Sequence, residues 1–185
     1  MAKRPIPTTP EELRTYHNNR YKTSRMNLLL VVAFSAINLL LLTFNVDYYL
    51  LFSAAVPYYV TLYAKLLCGM LPEEYYGGEY EAMAAEGFFP ESVFYAALAI
   101  AVIAIAVYLI CFLLSKNGKS GWLVFALVFF IADTVGLLML ADIASSIIDL
   151  LFHAWVIYYL VLGISAKSKL KQIPEEKEEQ TGFFG

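Results

Sequence analysis

The chain has 185 residues, 60% of them hydrophobic and 16% charged, with a mean hydropathy of +0.63. A soluble domain has about a quarter of its residues charged, so this composition excludes one. The formal net charge of -3 offers no basic field for nucleic acid, and two cysteines, Cys68 and Cys111, do not make a disulfide framework.

The apolar residues are gathered into runs at 27–44, 48–70, 93–115, 122–141 and 146–166. Each is close to the length of about 20 residues that crosses roughly 30 Å of hydrocarbon. The pattern predicts an all-α, polytopic membrane helix bundle. A basic cytoplasmic segment with a short helix occupies 1–26, one membrane domain occupies 27–166, and a polar tail at 167–185 reads as disordered. No P-loop, dinucleotide fingerprint, Cys-x-x-Cys or His-Glu-x-x-His motif is present. No cofactor is therefore named, and the balance of signals leans away from an enzyme. An intramembrane serine protease is excluded by spacing. Ser165, in Gly163-Ile164-Ser165-Ala166, is 12 residues from His153, or about 18 Å along one helix.

In chain order, residues 1–26 carry Lys3, Arg4, Arg14, Arg20, Lys22 and Arg25. Thr9-Pro10-Glu11-Glu12 has a cap, Pro at the first helical position and Glu three residues after the cap, which predicts a helix from about Pro10. Leu13, Tyr16, Arg20 and Tyr21 are expected near the lipid surface, and His17 is expected in solvent. The run from Asn27 to Phe44 reads as a transmembrane helix and a retained signal anchor. Its Ser35 and Asn38 share a face suited to hydrogen bonds with a neighbouring segment.

The second run, 48–70, is unusual. Tyr48, Tyr49, Phe52, Tyr58, Tyr59 and Tyr63 crowd it, Pro57 interrupts it and Lys65 sits inside it. Tyrosine favours the membrane–water boundary. The run therefore reads as a Tyr-rich interfacial helix, or as a re-entrant hairpin broken at Pro57. The alternative is five transmembrane helices. The basic residues discriminate between the two. Six of the 13 precede the first run, two lie between the third and fourth, and four follow the fifth. Short cytoplasmic loops collect Lys and Arg. Four crossings put all of these on one side with Lys65 on the other, whereas five crossings give no bias. The preferred topology has four crossings and both termini inside, most simply in the plasma (cytoplasmic) membrane.

Residues 71–92 form an outer loop with a turn at Gly77-Gly78 and a short helix over 79–86. Glu73, Glu74, Glu79, Glu81 and Glu86 make it acidic. It is either an ordinary solvated loop or a negative vestibule that concentrates cations. The third run has a small-residue stripe, Ala97, Ala101 and Ala104, continued by Tyr108 and Cys111, which reads as a packing face. Cys68 and Cys111 fall at opposite interfaces, too far apart for a bond.

The stretch 121–167 is almost wholly apolar, yet it holds Asp133, Asp142, Asp149 and His153. As one helix it would be roughly 69 Å long, so it must fold back near 142–146. Asp142 is then expected to cap the returning helix. A turn centred near 143 brings Asp133 level with His153. Asp149 lies one turn above His153 on the same face, and Ser145 and Ser146 extend that face outward. Gly136 leaves room beside it.

Three readings compete for Asp133, Asp149 and His153. The first is a structural pair that fixes the packing of a non-catalytic accessory or scaffold protein. The second is an ion or proton path for conduction or coupled transport, with the acidic loop as its mouth. The third is a metal or ligand site of an intramembrane metal-dependent enzyme. The expected partners are the lipid bilayer and, because four helices enclose little space, further copies of the chain.

Overall fold

The computed structural model describes residues 8–142 and 146–174. Six α-helices are built from them: α1 Pro10–Thr43, α2 Ala55–Leu67, α3 Tyr80–Glu86, α4 Glu91–Leu114, α5 Gly121–Leu140 and α6 Ile147–Leu170. Helices α1, α4, α5 and α6 are long and apolar enough to cross a membrane, whereas α2, at 13 residues, is too short to do so. The chain is a helical membrane bundle of four long helices with a fifth, short helix folded among them.

Helix α1 begins as its first residues dictate. The Thr9 hydroxyl accepts from the Glu12 N–H, and the Glu12 carboxylate accepts from the Thr9 N–H. That helix then continues without interruption for 34 residues. The basic segment and the first membrane run are therefore one rod, not a short helix followed by another. His17 is a correction: it is 7% exposed and packs edge-on against Tyr16, because its position faces the bundle rather than water. Helix α6 likewise runs on to Leu170, past the expected domain edge at 166. The rest of the tail expected to be disordered, 175–185, lies outside the described residues.

The ends that carry the termini are fastened by α1. Arg14 Nη2 donates to the carbonyls of Ile173 and Pro174 at 3.1 and 2.7 Å, so the start of α1 and the end of α6 lie at the same end of the bundle. Tyr21 donates to the Ser115 carbonyl at 2.6 Å. Arg25 donates to Ser115 Oγ and to the Phe112 carbonyl. The last carbonyls of a helix lack intrahelical donors, and here α1 supplies them to α4. Between this end and the centre lies a dense apolar core. Leu28, Val31, Leu123, Ala126, Phe130 and Leu160 are all 0% exposed. In α4 the buried face is Phe94, Ala97, Ala101, Ile105, Tyr108 and Cys111. Ile105 thus takes the core position that the alanine stripe assigned to Ala104. Both cysteines are free.

Candidate functional site at the mouth of a re-entrant helix

After α1 ends, the chain turns back into the bundle instead of leaving it. Residues 45–54 run inward along α1. Asn38 Nδ2 donates to the Leu50 carbonyl at 2.8 Å and to Ser53 Oγ at 2.9 Å, and Asn38 Oδ1 accepts from the Leu50 N–H at 2.7 Å. The Ala54 N–H then donates to Ser35 Oγ at 2.7 Å. Ser35 lies eight residues before the end of α1, so the chain has descended by about 12 Å. Helix α2 starts there and climbs back. Its Tyr63 hydroxyl reaches the Leu140 carbonyl at the outer end of α5. Run 48–70 is thus re-entrant. Pro57 is not its break: the reversal is at 52–54, where Phe52 has φ 67, and Pro57 sits in the first turn of α2, where a missing N–H leaves no bond unmade.

A helix that begins inside a membrane leaves its first N–H groups without intrahelical acceptors or water. Here the accounting closes. Ala54 donates to Ser35. Ala55 and Val56 donate to the two carboxylate oxygens of Asp133, Oδ2 and Oδ1, each at 2.9 Å. Pro57 has nothing to donate. An anion at a helix N-terminus is also favoured by the helix dipole. Gly136, one turn from Asp133, allows the approach, since a Cβ there would collide with Val56 Cγ2.

Asp133 has a second partner. His153 Nε2 lies 3.1 Å from Asp133 Oδ2, and the two side chains are 4% (Asp133) and 2% (His153) exposed. The sequence expectation that a turn near 143 sets these residues level is met by this contact. His153 Nδ1 lies 2.9 Å from the Asp149 carbonyl. A carbonyl only accepts, so Nδ1 carries a hydrogen. One further proton is then shared between Nε2 and Oδ2. It is held on the imidazole as an ion pair, or on the carboxyl as a neutral pair. The His153 ring stacks on Phe130, with centroids 4.8 Å apart, which closes its inner side.

Asp149 therefore joins the cluster through its main chain rather than its carboxylate. Among the described residues, no three His, Cys, Asp or Glu side chains are grouped to hold a metal ion. Both Asp133 oxygens accept N–H groups of α2, and the metal reading of Asp133, Asp149 and His153 gains no support from this arrangement. Asp142 sits in the turn, and its carbonyl accepts from the Ser146 N–H at 3.1 Å. The position that caps α6 is Ser146. Ser145 lies outside the described residues.

The acidic loop folds into a single 3-10 turn, Glu73–Tyr76, and α3. Glu73, Glu74, Glu79, Glu81 and Glu86 are all exposed. The cavity at this end of the bundle, about 110 Å³, is lined instead by Asn45, Asp47, Tyr49, Tyr58 and Tyr75 among others, and Tyr75 donates to Asp47 at 3.1 Å. Tyr49 links this cavity to the interior: its hydroxyl accepts from Ser53 Oγ at 3.0 Å, which in turn accepts from Asn38.

For two buried groups, Lys65 and Tyr108, the position was legible in the sequence but the surroundings were not. Lys65, 2% exposed, turns its ammonium group to the carbonyls of Leu42 and Thr43 and to Asn45 Oδ1, and so closes the C-terminus of α1. Tyr108, 1% exposed, has a hydroxyl with no hydrogen-bond partner among the described residues. It lines a cavity of about 150 Å³ shared with Asp133, Val56, Pro57, Ala104 and Ala132. The only signal for either was a polar group in an apolar run, which does not say what it will meet. No family model, no curated protein and no solved structure matches this chain.

Proposed function

We propose that this chain is a small integral membrane protein that takes a proton or cation from the outer face onto the Asp133–His153 pair, in coupled transport rather than through an open pore. The observation that carries this reading is the double engagement of Asp133, which holds the first two N–H groups of α2 and His153 Nε2 together. A change in the charge of the pair alters how firmly Asp133 holds the start of α2, so occupancy and the seating of the re-entrant helix are linked. Tyr49, Ser53 and Asn38 supply a polar approach from the outer cavity. The apolar core between the pair and the terminal end argues for a gated step rather than free conduction. It also favours more than one copy of the chain wherever a wide path is needed. The termini are assigned to the cytoplasm and the bundle to the plasma membrane on the distribution of Lys and Arg. A membrane-impermeant thiol reagent should then label a cysteine placed at Gly78 on intact cells, and labelling only after lysis would reverse the orientation.

The direct test is flux. Purified protein in liposomes should carry protons or a monovalent cation, and Asp133→Asn and His153→Ala should each reduce that flux at least tenfold, about 1.4 kcal/mol on the barrier. Equal flux in all three proteins, or none in any, sinks the transport reading. A non-catalytic accessory or scaffold role is the second reading. It is favoured by the complete hydrogen-bond closure of the α2 start, and it gains if both variants lose folded yield and no flux is found.

A further inference from the structure

A second cavity lies far from Asp133, at the end of the bundle that carries the termini. It measures about 370 Å³ and is lined by Tyr16, Asn19, Arg20 and Thr23 of α1 and by Tyr158, Tyr159 and Leu162 of α6. The α1 residues recur at spacings of three and four, so they form one helix face. That face covers about 10 Å along the axis and ends just before the apolar run that begins at Asn27. It therefore sits at headgroup depth. The α6 residues lie deeper. Gly163 packs against Ser24, where a Cβ would collide with the serine side chain, so Leu162 and Tyr158 are level with the start of the hydrocarbon.

The chemistry of the lining is cationic and hydrogen-bonding at the shallow end. Arg20 is its only charged residue, and none of the lining residues is acidic. The neighbouring arginines of α1 are occupied elsewhere: Arg14 binds the carbonyls of Ile173 and Pro174, and Arg25 binds Phe112 and Ser115. Arg20 instead lies flat on the Tyr16 ring, 4.9 Å from its centroid, beside the cavity. A guanidinium presents a rigid fork of donors that matches a phosphate, and Asn19, Thr23 and the hydroxyls of Tyr16 and Tyr159 add neutral donors to the lining. We propose that this groove binds the phosphate of an anionic glycerophospholipid in the leaflet on the terminal side, with the start of an acyl chain along Tyr158 and Leu162. Basic pockets between membrane helices at this depth suit such headgroups. The continuation of the groove into the hydrocarbon favours a lipid over free phosphate. The proposal is independent of the Asp133–His153 reading.

Native mass spectrometry of the purified full chain tests it, with phosphatidylglycerol and phosphatidylcholine of matched chains as probes. Phosphatidylglycerol should be retained about fivefold more strongly, the effect expected of one cation near a headgroup. Arg20→Gln should abolish that preference. Lys22→Gln removes the same charge from an exposed position outside the groove and should keep it. Tyr159→Phe leaves the charge intact and should weaken it, which keeps the proposal testable if Arg20→Gln folds poorly by thermal unfolding. Equal retention of the two lipids overturns the proposal, as does equal loss in the Arg20 and Lys22 variants. Displacement of phosphatidylglycerol by inorganic phosphate at millimolar concentration would make the groove a free-anion site instead.

Discussion

Two buried charges in the half of the bundle that holds α2 do the same mechanical job with different company. Lys65 closes the C-terminus of α1, and Asp133 closes the N-terminus of α2. The signs follow the helix dipole, which favours a cation at a C-terminus and an anion at an N-terminus. The partners of Lys65 are two carbonyls and an amide oxygen, none of which titrates. Asp133 also faces His153, whose Nε2 lies 3.1 Å from Asp133 Oδ2. Capping does not require this imidazole. Ser35 satisfies Ala54 with a hydroxyl alone, and the two N–H groups at Asp133 need only oxygen acceptors. His153 is thus the part of this half that helix closure leaves unexplained, and the proton it shares is what the proposed transport role would use.

The comparison breaks most severely at Asp133. Asp133→Ala orphans two backbone N–H groups and leaves His153 without its carboxylate, and breaking a buried pair costs about 3–5 kcal/mol. Thermal unfolding in detergent and folded yield on size exclusion should both fall sharply. A near-neutral result would mean that α2 is not held by this carboxylate. Lys65→Met should cost less, about 1–3 kcal/mol, because the charge leaves together with its desolvation and only carbonyls remain unpaired. The smallest stability effect belongs to His153→Gln, about 1 kcal/mol or less, the usual scale of a polar contact between membrane helices. That variant nevertheless carries the sharpest distinction. Hydrogen exchange at the Ala55 and Val56 amides should stay slow in His153→Gln and become fast in Asp133→Ala. Equal exchange in the two variants would mean that Asp133 does not hold α2 independently of His153.

Much of this architecture was legible locally. The Thr9–Glu12 capping box, the four long spans, the short α3 and the fold-back after Leu140 each follow from signals contained in a few turns of helix. The Asp133–His153 contact was legible too, since the two helices of a tight hairpin return at equal depth. The failures share a cause. His17 was expected in solvent because polar residues flanking a membrane run are usually wet, but its helix face is covered by the bundle. Asp149 was expected to contribute its carboxylate, since it lies one turn from His153 on the same face. The contact is instead made by its carbonyl, which the imidazole reaches within its own helix.

By itself the sequence pointed to a helical membrane bundle with four long apolar spans, and it set a carboxylate and an imidazole at one level. These depend on the length and periodicity of short stretches. Tertiary structure decided what the carboxylate is for. Ala55 and Asp133 are 78 residues apart, and no local pattern announces that the start of a broken helix will need an acceptor at that depth. The start of α2 leaves its first N–H groups without intrahelical acceptors, and packing of α2 against α4, α5 and α1 buries them beside Asp133.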